Sequence, residues 1–186
     1  MDDTLLSIIG IVLAAIIMFL FPLITMADRT DDVSQLTAKI VTTEFAKDVM
    51  ETGKITPDMY DKFVTNLSST GNSYNIEMEA KVVDENNSRL SIISSGNYQT
   101  QGGSAGENSY YSIFTSQILD KLNQNTANNP DGATFYLKEG DIFSVSVKNS
   151  SQTIAQQLKN VFYTVLGKDT YVIAASGGGI VTVTGK

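Results

Sequence analysis

Residues Thr4 to Met26 form 23 consecutive positions without a charge, TLLSIIGIVLAAIIMFLFPLITM, and nothing else in the chain restricts it as much. At about 1.5 Å rise per residue this run makes a helix of roughly 34 Å, enough to cross a hydrocarbon core of about 30 Å. From Asp28 onward polar and apolar residues alternate as in a water-soluble domain. The expected organisation is a transmembrane helix over 1–27 and a single α+β domain over 28–186.

The remaining 159 residues suit one core, and a domain of that size buries roughly two-thirds of its unfolded surface. Twenty acidic and 13 basic residues give a net charge of −7 with no basic stripe, so a nucleic-acid partner is not expected. Cys and His are both absent. That removes disulfides, thiolate chemistry, Ser-His triads and the commonest zinc ligand. No cofactor and no enzymatic activity are expected.

The acidic start Met1-Asp2-Asp3 and the length of the apolar run favour a retained anchor over a cleaved signal, although Thr25-Met26-Ala27 loosely fits a cleavage site. Arg29 and Lys39 follow the span, which on a bare count places the C-terminal part in the cytoplasm; neighbouring Asp28, Asp31 and Asp32 weaken that signal. Ser7, Gly10 and Ala14 share one helix face, a spacing that lets helix backbones approach closely in lipid. Pro22 removes one backbone donor and is expected to bend the helix.

The helix is expected to continue to Glu51, about 72 Å in all, with Gly53 closing it. Val33, Leu36 and Ile40 form one apolar stripe, and Val41, Phe45 and Val49 continue it. Thr56-Pro57 opens a short helix as N-cap and first position, with Tyr60, Phe63, Val64 and Leu67 on one side and Gly71 at its end. Tyr74 to Val82 alternates as a half-buried strand, which implies an antiparallel sheet. Asp84-Glu85-Asn86-Asn87 reads as a turn into Arg89–Ile93, and 94–108 as a Gly/Ser/Gln loop.

A helix is expected from Ser109 to Asn123, with Tyr111 in its apolar face. The strand Ala133–Leu137 joins Ile142–Val147 through Lys138–Asp141. A last helix starts at Ser150 or Ser151 and ends at Gly167. A final hairpin, Tyr171–Ala175 with Ile180–Thr184, turns at Ser176-Gly177-Gly178-Gly179.

Candidate chemistry is sparse. Glu77 and Glu79 stand about 7 Å apart on one strand face, a pair that glycoside hydrolysis could use, but their alternation with core residues reads as a solvated face. Asp84–Asn87 lacks the spacing of a calcium loop. The glycines at 177–179 have no Gly-Lys-Ser/Thr after them, so they are not a phosphate loop. Tyr98 and Tyr110 flank the long loop and form a possible ligand surface.

FLFPLI (19–24), TGKITPDMYDKF (52–63), TGNSYNIEMEA (70–80) and GDIFSVSVKNSSQTIAQQLKN (140–160), behind a hydrophobic N-terminal helix, resemble type IV pilins and pseudopilins. The pattern is nearest to TadE-like pseudopilins of tight-adherence-type systems in Gram-positive bacteria. Gly10 has no basic residue before it, and Ala15 stands where pilins of that family carry Glu, so the residues do not support processing at Gly10. The resemblance implies a non-enzymatic, single-pass envelope protein with its domain outside the membrane, in a cell-surface filament or secretion apparatus. Its implied partners are the lipid bilayer and further copies or related pilin-like subunits. The alternative is a tethered adhesion module for a glycan or protein.

Overall fold

A computed structural model describes residues 2–83, 110–123, 133–151 and 172–185. The chain is α+β: a long N-terminal helix followed by a small antiparallel sheet with short helices. Helix α1, Asp2–Thr52, runs unbroken for 51 residues, about 76 Å. It ends where Gly53 takes a φ of 64° and donates back to the Val49 carbonyl. The half of α1 from Thr4 is long and apolar enough to cross a membrane or serve as a signal segment, and none of its apolar window is buried. Pro22 lies inside it, so the Met18 carbonyl lacks its usual donor.

Strand β1, Lys54–Ile55, and helix α2, Pro57–Ser68, follow at once. Thr56 caps α2 by accepting from the Met59 N–H at 3.2 Å. The rings of Phe45 and Phe63 stack at 4.3 Å between centroids and fix α2 against α1. The other elements are β2 (Tyr74–Val83), β3 (Tyr110–Phe114), α3 (Thr115–Leu122), β4 (Phe135–Tyr136), β5 (Ile142–Asn149) and β6 (Ala174–Ile180). The sheet order is β3-β2-β5-β6, antiparallel throughout, and β1 pairs separately with β4. Met78, Ala80, Phe143, Val145 and Val147 point inward with α1 behind them.

Four expectations need correction. Residues 110–114 are a strand, not the start of a helix: paired with β2, the run YYSIF extends, and the helix begins only at Thr115. Tyr111 is therefore half-exposed on a strand rather than core. Strand β4 pairs with Lys54–Ile55 instead of turning into β5, because Leu137 N–H donates to the Gly53 carbonyl and holds β4 at the end of α1.

The third correction concerns the run Ser176–Gly179, which is the middle of one strand, β6, and not a turn. A Cβ on Gly177 would stand 3.1 Å from that of Ala46 and 3.2 Å from the Thr42 carbonyl. One on Gly179 would meet the Met50 sulfur at 2.9 Å. The glycines let a strand lie directly against a helix.

The fourth is the apolar stripe of α1, expected to run on from Val33, Leu36 and Ile40 into Val41, Phe45 and Val49 and found divided between an exposed and a buried face. The buried face of α1 carries Asp31, Ser34, Ala38, Thr42, Ala46 and Val49, whereas Val33, Leu36 and Ile40 are 64%, 58% and 55% exposed. Small side chains face the glycine strand because backbone proximity, not apolar content, selects that side. Val41, Phe45 and Val49 pack inward as expected. The expected elements within 84–109, 124–132 and 152–171 lie outside the described residues.

Candidate functional site

The outer face of the sheet, away from α1, is an open groove of about 680 Å³ lined by Glu77, Glu79, Phe114, Ser144, Ser146 and Ser176. Short serines and Gly178 on β5 and β6 leave its floor low, and the longer side chains of β2 and β3 wall one side. The carboxylates are already engaged. Glu79 accepts from the Ser112 hydroxyl at 2.8 Å and lies 3.9 Å from the Lys81 ammonium. Glu77 accepts from the Asn75 amide at 3.1 Å. This is a strand face whose two carboxylates are held by neighbouring side chains, Glu79 beside a cation and Glu77 by a neutral amide. Among the described residues, no group of three or more acidic side chains stands where it could hold a metal ion.

A second groove, of about 560 Å³, lies between β3, α3 and β4 and has Tyr111, Ile113, Phe135 and Tyr136 on its walls. Tyr111 and Tyr136 are 51% and 38% exposed and offer flat aromatic surface. Sequence reasoning missed this site because it placed Tyr111 in a helix and paired β4 with the wrong neighbour. Tyr110 is exposed on β3, one residue from Tyr111 and so on the opposite strand face. Tyr98 lies outside the described residues, so the loop expectation reduces to Tyr110.

Ser7, Gly10 and Ala14 all lie exposed within the membrane-length half of α1. The exposed Val33-Leu36-Ile40 stripe follows on the same helix, off its buried face. At the far end, Asp141 is buried and ties three elements together. Its carboxylate accepts from the Val83 N–H at 3.0 Å and the Lys138 N–H at 2.7 Å, and its carbonyl accepts from Val181. That role is architectural.

On α2, burial and secondarily the neighbouring Asp61 carboxylate raise the Tyr60 phenol above its ordinary value. No protein-family model, curated protein or solved structure matches the chain.

Proposed function

We propose that this protein is a non-enzymatic, single-pass membrane-anchored, pilin-like component of a cell-surface filament or secretion apparatus, with its domain outside the membrane. The supporting observation is that α1 carries uncovered apolar surface twice in succession. The first is the membrane-length segment. The second is the stripe Val33, Leu36 and Ile40, turned away from the domain's own core.

An apolar helix face that its own domain leaves bare marks an interaction surface. Ridges three and four residues apart fit the grooves of a like helix. Fully burying such a side chain stabilises by about 1.5–3 kcal/mol, and confinement to one bilayer removes part of the freedom that association in solution would lose. Ser7, Gly10 and Ala14 supply the small-residue face for close approach within lipid.

The test uses full-length protein in proteoliposomes. Leu36→Cys is expected to cross-link between copies, and Leu36→Asp with Ile40→Asp to abolish association while leaving the circular dichroism spectrum unchanged. Monomers alone in wild-type membranes would sink the reading. The groove between Tyr111 and Tyr136 favours a second reading, a tethered adhesion module for a glycan. Binding on a glycan array that Tyr111→Ala removes would select it.

A further inference from the structure

The backbone groups of an antiparallel strand point alternately to its two sides. Asn149 N–H donates to the Ile173 carbonyl at 2.8 Å and Val181 N–H to the Asp141 carbonyl at 2.7 Å, so the odd-numbered residues of β6 face β5. The even-numbered ones face outward. Helix α1 occupies the two ends of this outward row: Gln35 bonds Ala174, and the Met50 carbonyl accepts from the Thr182 N–H at 3.0 Å. Between them Ser176, Gly178 and Ile180 are exposed, and no described residue bonds their outward N–H and C=O groups. Strand AASGGGI has neither charge nor Pro, the usual protections of an edge.

At the opposite edge of the sheet the same reasoning applies. Thr115 Oγ bonds both the N–H and the carbonyl of Met78, so the even-numbered residues of β2 face β3. Ala80–Ile113 and Val82–Tyr111 are then the bonded pairs, and Tyr110, Ser112 and Phe114 face outward. The Gln117 side chain takes the Phe114 N–H at 3.0 Å.

Direction and level also agree. Gln35 meets Ala174 and Met50 meets Thr182, so β6 ascends with α1, away from the membrane-length end. Three antiparallel steps across the sheet make β3 descend. The registers place Phe114, Glu79, Ser144 and Gly178 on one level, and Ser112, Lys81, Ile142 and Ile180 on the next.

We propose that copies of this chain standing side by side on one membrane join β6 of one to β3 of the next, with Ile180 opposite Ser112 and Gly178 opposite Phe114. The inference rests on the assembly reading above and adds to it a continuous intermolecular sheet. The two edges meet antiparallel, at the same height and with outward groups in the same phase; the Phe114 N–H exchanges the Gln117 side chain for the Gly178 carbonyl, and both anchors point the same way. Pairing β6 with β6 about a two-fold axis would point the two α1 helices in opposite directions, which copies held in one membrane cannot do. Phe114, 57% exposed on the outer face, would cover the strand at Gly178, where no side chain fills the space. Such a head-to-tail contact repeats without closing on itself after one step.

The chain has no Cys, so introduced thiols report without background. Full-length protein carrying Ser112→Cys and Ile180→Cys, reconstituted in proteoliposomes and oxidised, is expected to give a ladder of covalent oligomers. Bonded antiparallel neighbours stand about 5.5 Å apart at Cα, within disulfide reach. Either single variant alone should give none, and a mixture of the two singles should stop at dimers. Cross-linking by Leu36→Cys without any 112–180 product overturns the edge pairing and leaves the assembly reading standing. Dimers from Ser176→Cys with Ile180→Cys also overturn it, since they report β6 against β6. Absence of product from every set, Leu36→Cys included, overturns both.

Discussion

The side chain of Gln35 makes both of the backbone bonds that a neighbouring strand would make to Ala174. Its Nε2 donates to the Ala174 carbonyl at 2.6 Å, and its Oε1 accepts from the Ala174 N–H at 3.0 Å. One amide 139 residues away in the chain thus closes the start of the edge strand and fixes the height of β6 along α1. Gln35→Leu removes both bonds and is expected to cost about 2 kcal/mol, at roughly 1 kcal/mol per bond. Urea unfolding gives the loss, and hydrogen exchange should show the Ala174 amide deprotected before those of β5.

The three glycines of β6 are not equivalent, and alanine substitution should rank them. At Gly178 a Cβ would lie 2.5 Å from the Phe143 carbonyl, where only backbone can yield. At Gly177 it would press the Ala46 Cβ at 3.1 Å, and at Gly179 only the mobile end of Met50. Gly178→Ala is expected to lose about 3 kcal/mol, Gly177→Ala about 1–2 and Gly179→Ala less than about 1. Equal losses in denaturant midpoint at all three would contradict the packing of β6 beneath α1.

Asp141 holds two backbone donors with one carboxylate in a buried place. Asp141→Ala leaves the Val83 and Lys138 N–H groups unsatisfied and is expected to destabilise by about 3 kcal/mol. Asp141→Asn retains one good acceptor and should recover part of that. Thermal unfolding of the two variants side by side checks the order.

Tyr60 supplies a pH dependence. Its phenol titrates higher folded than unfolded, the ordinary value being 10.0, because burial and Asp61 disfavour the anion. The folded state therefore holds the proton more tightly. That contribution is complete below pH 10 and is lost as pH rises through the folded value. Wild type should lose more stability between pH 8 and pH 11 than Tyr60→Phe; identical losses in urea titrations would refute it.

Local signals carried far where one element's own residues set its form. Thr56-Pro57 starts α2 and Gly53 ends α1 because cap geometry is a property of a few adjacent residues. The alternation from Tyr74 to Val82 gave β2 and its wet face, because each strand residue chooses between only two sides. The uncharged run Thr4–Met26 required a long exposed apolar helix on length alone. Local signals misled where the answer depended on what lay opposite. Three successive glycines read as a turn until a helix of small residues occupies one side of them. Tyr110–Phe114 reads as helix until β2 offers an edge.

The same contrast divides the exposed surfaces. From its residues alone the chain was legible as an uncharged helix at one end and a polar-faced α+β part at the other, since solvation of each segment follows from its own side chains. Which face of α1 meets the domain came only from the packed molecule: backbone closeness set Thr42 and Ala46 against Gly177 and left Val33, Leu36 and Ile40 outside. The outward-facing backbone groups of β6 and β3 likewise become edges only once strand order is set, because an edge is a relation between strands and no single strand encodes it.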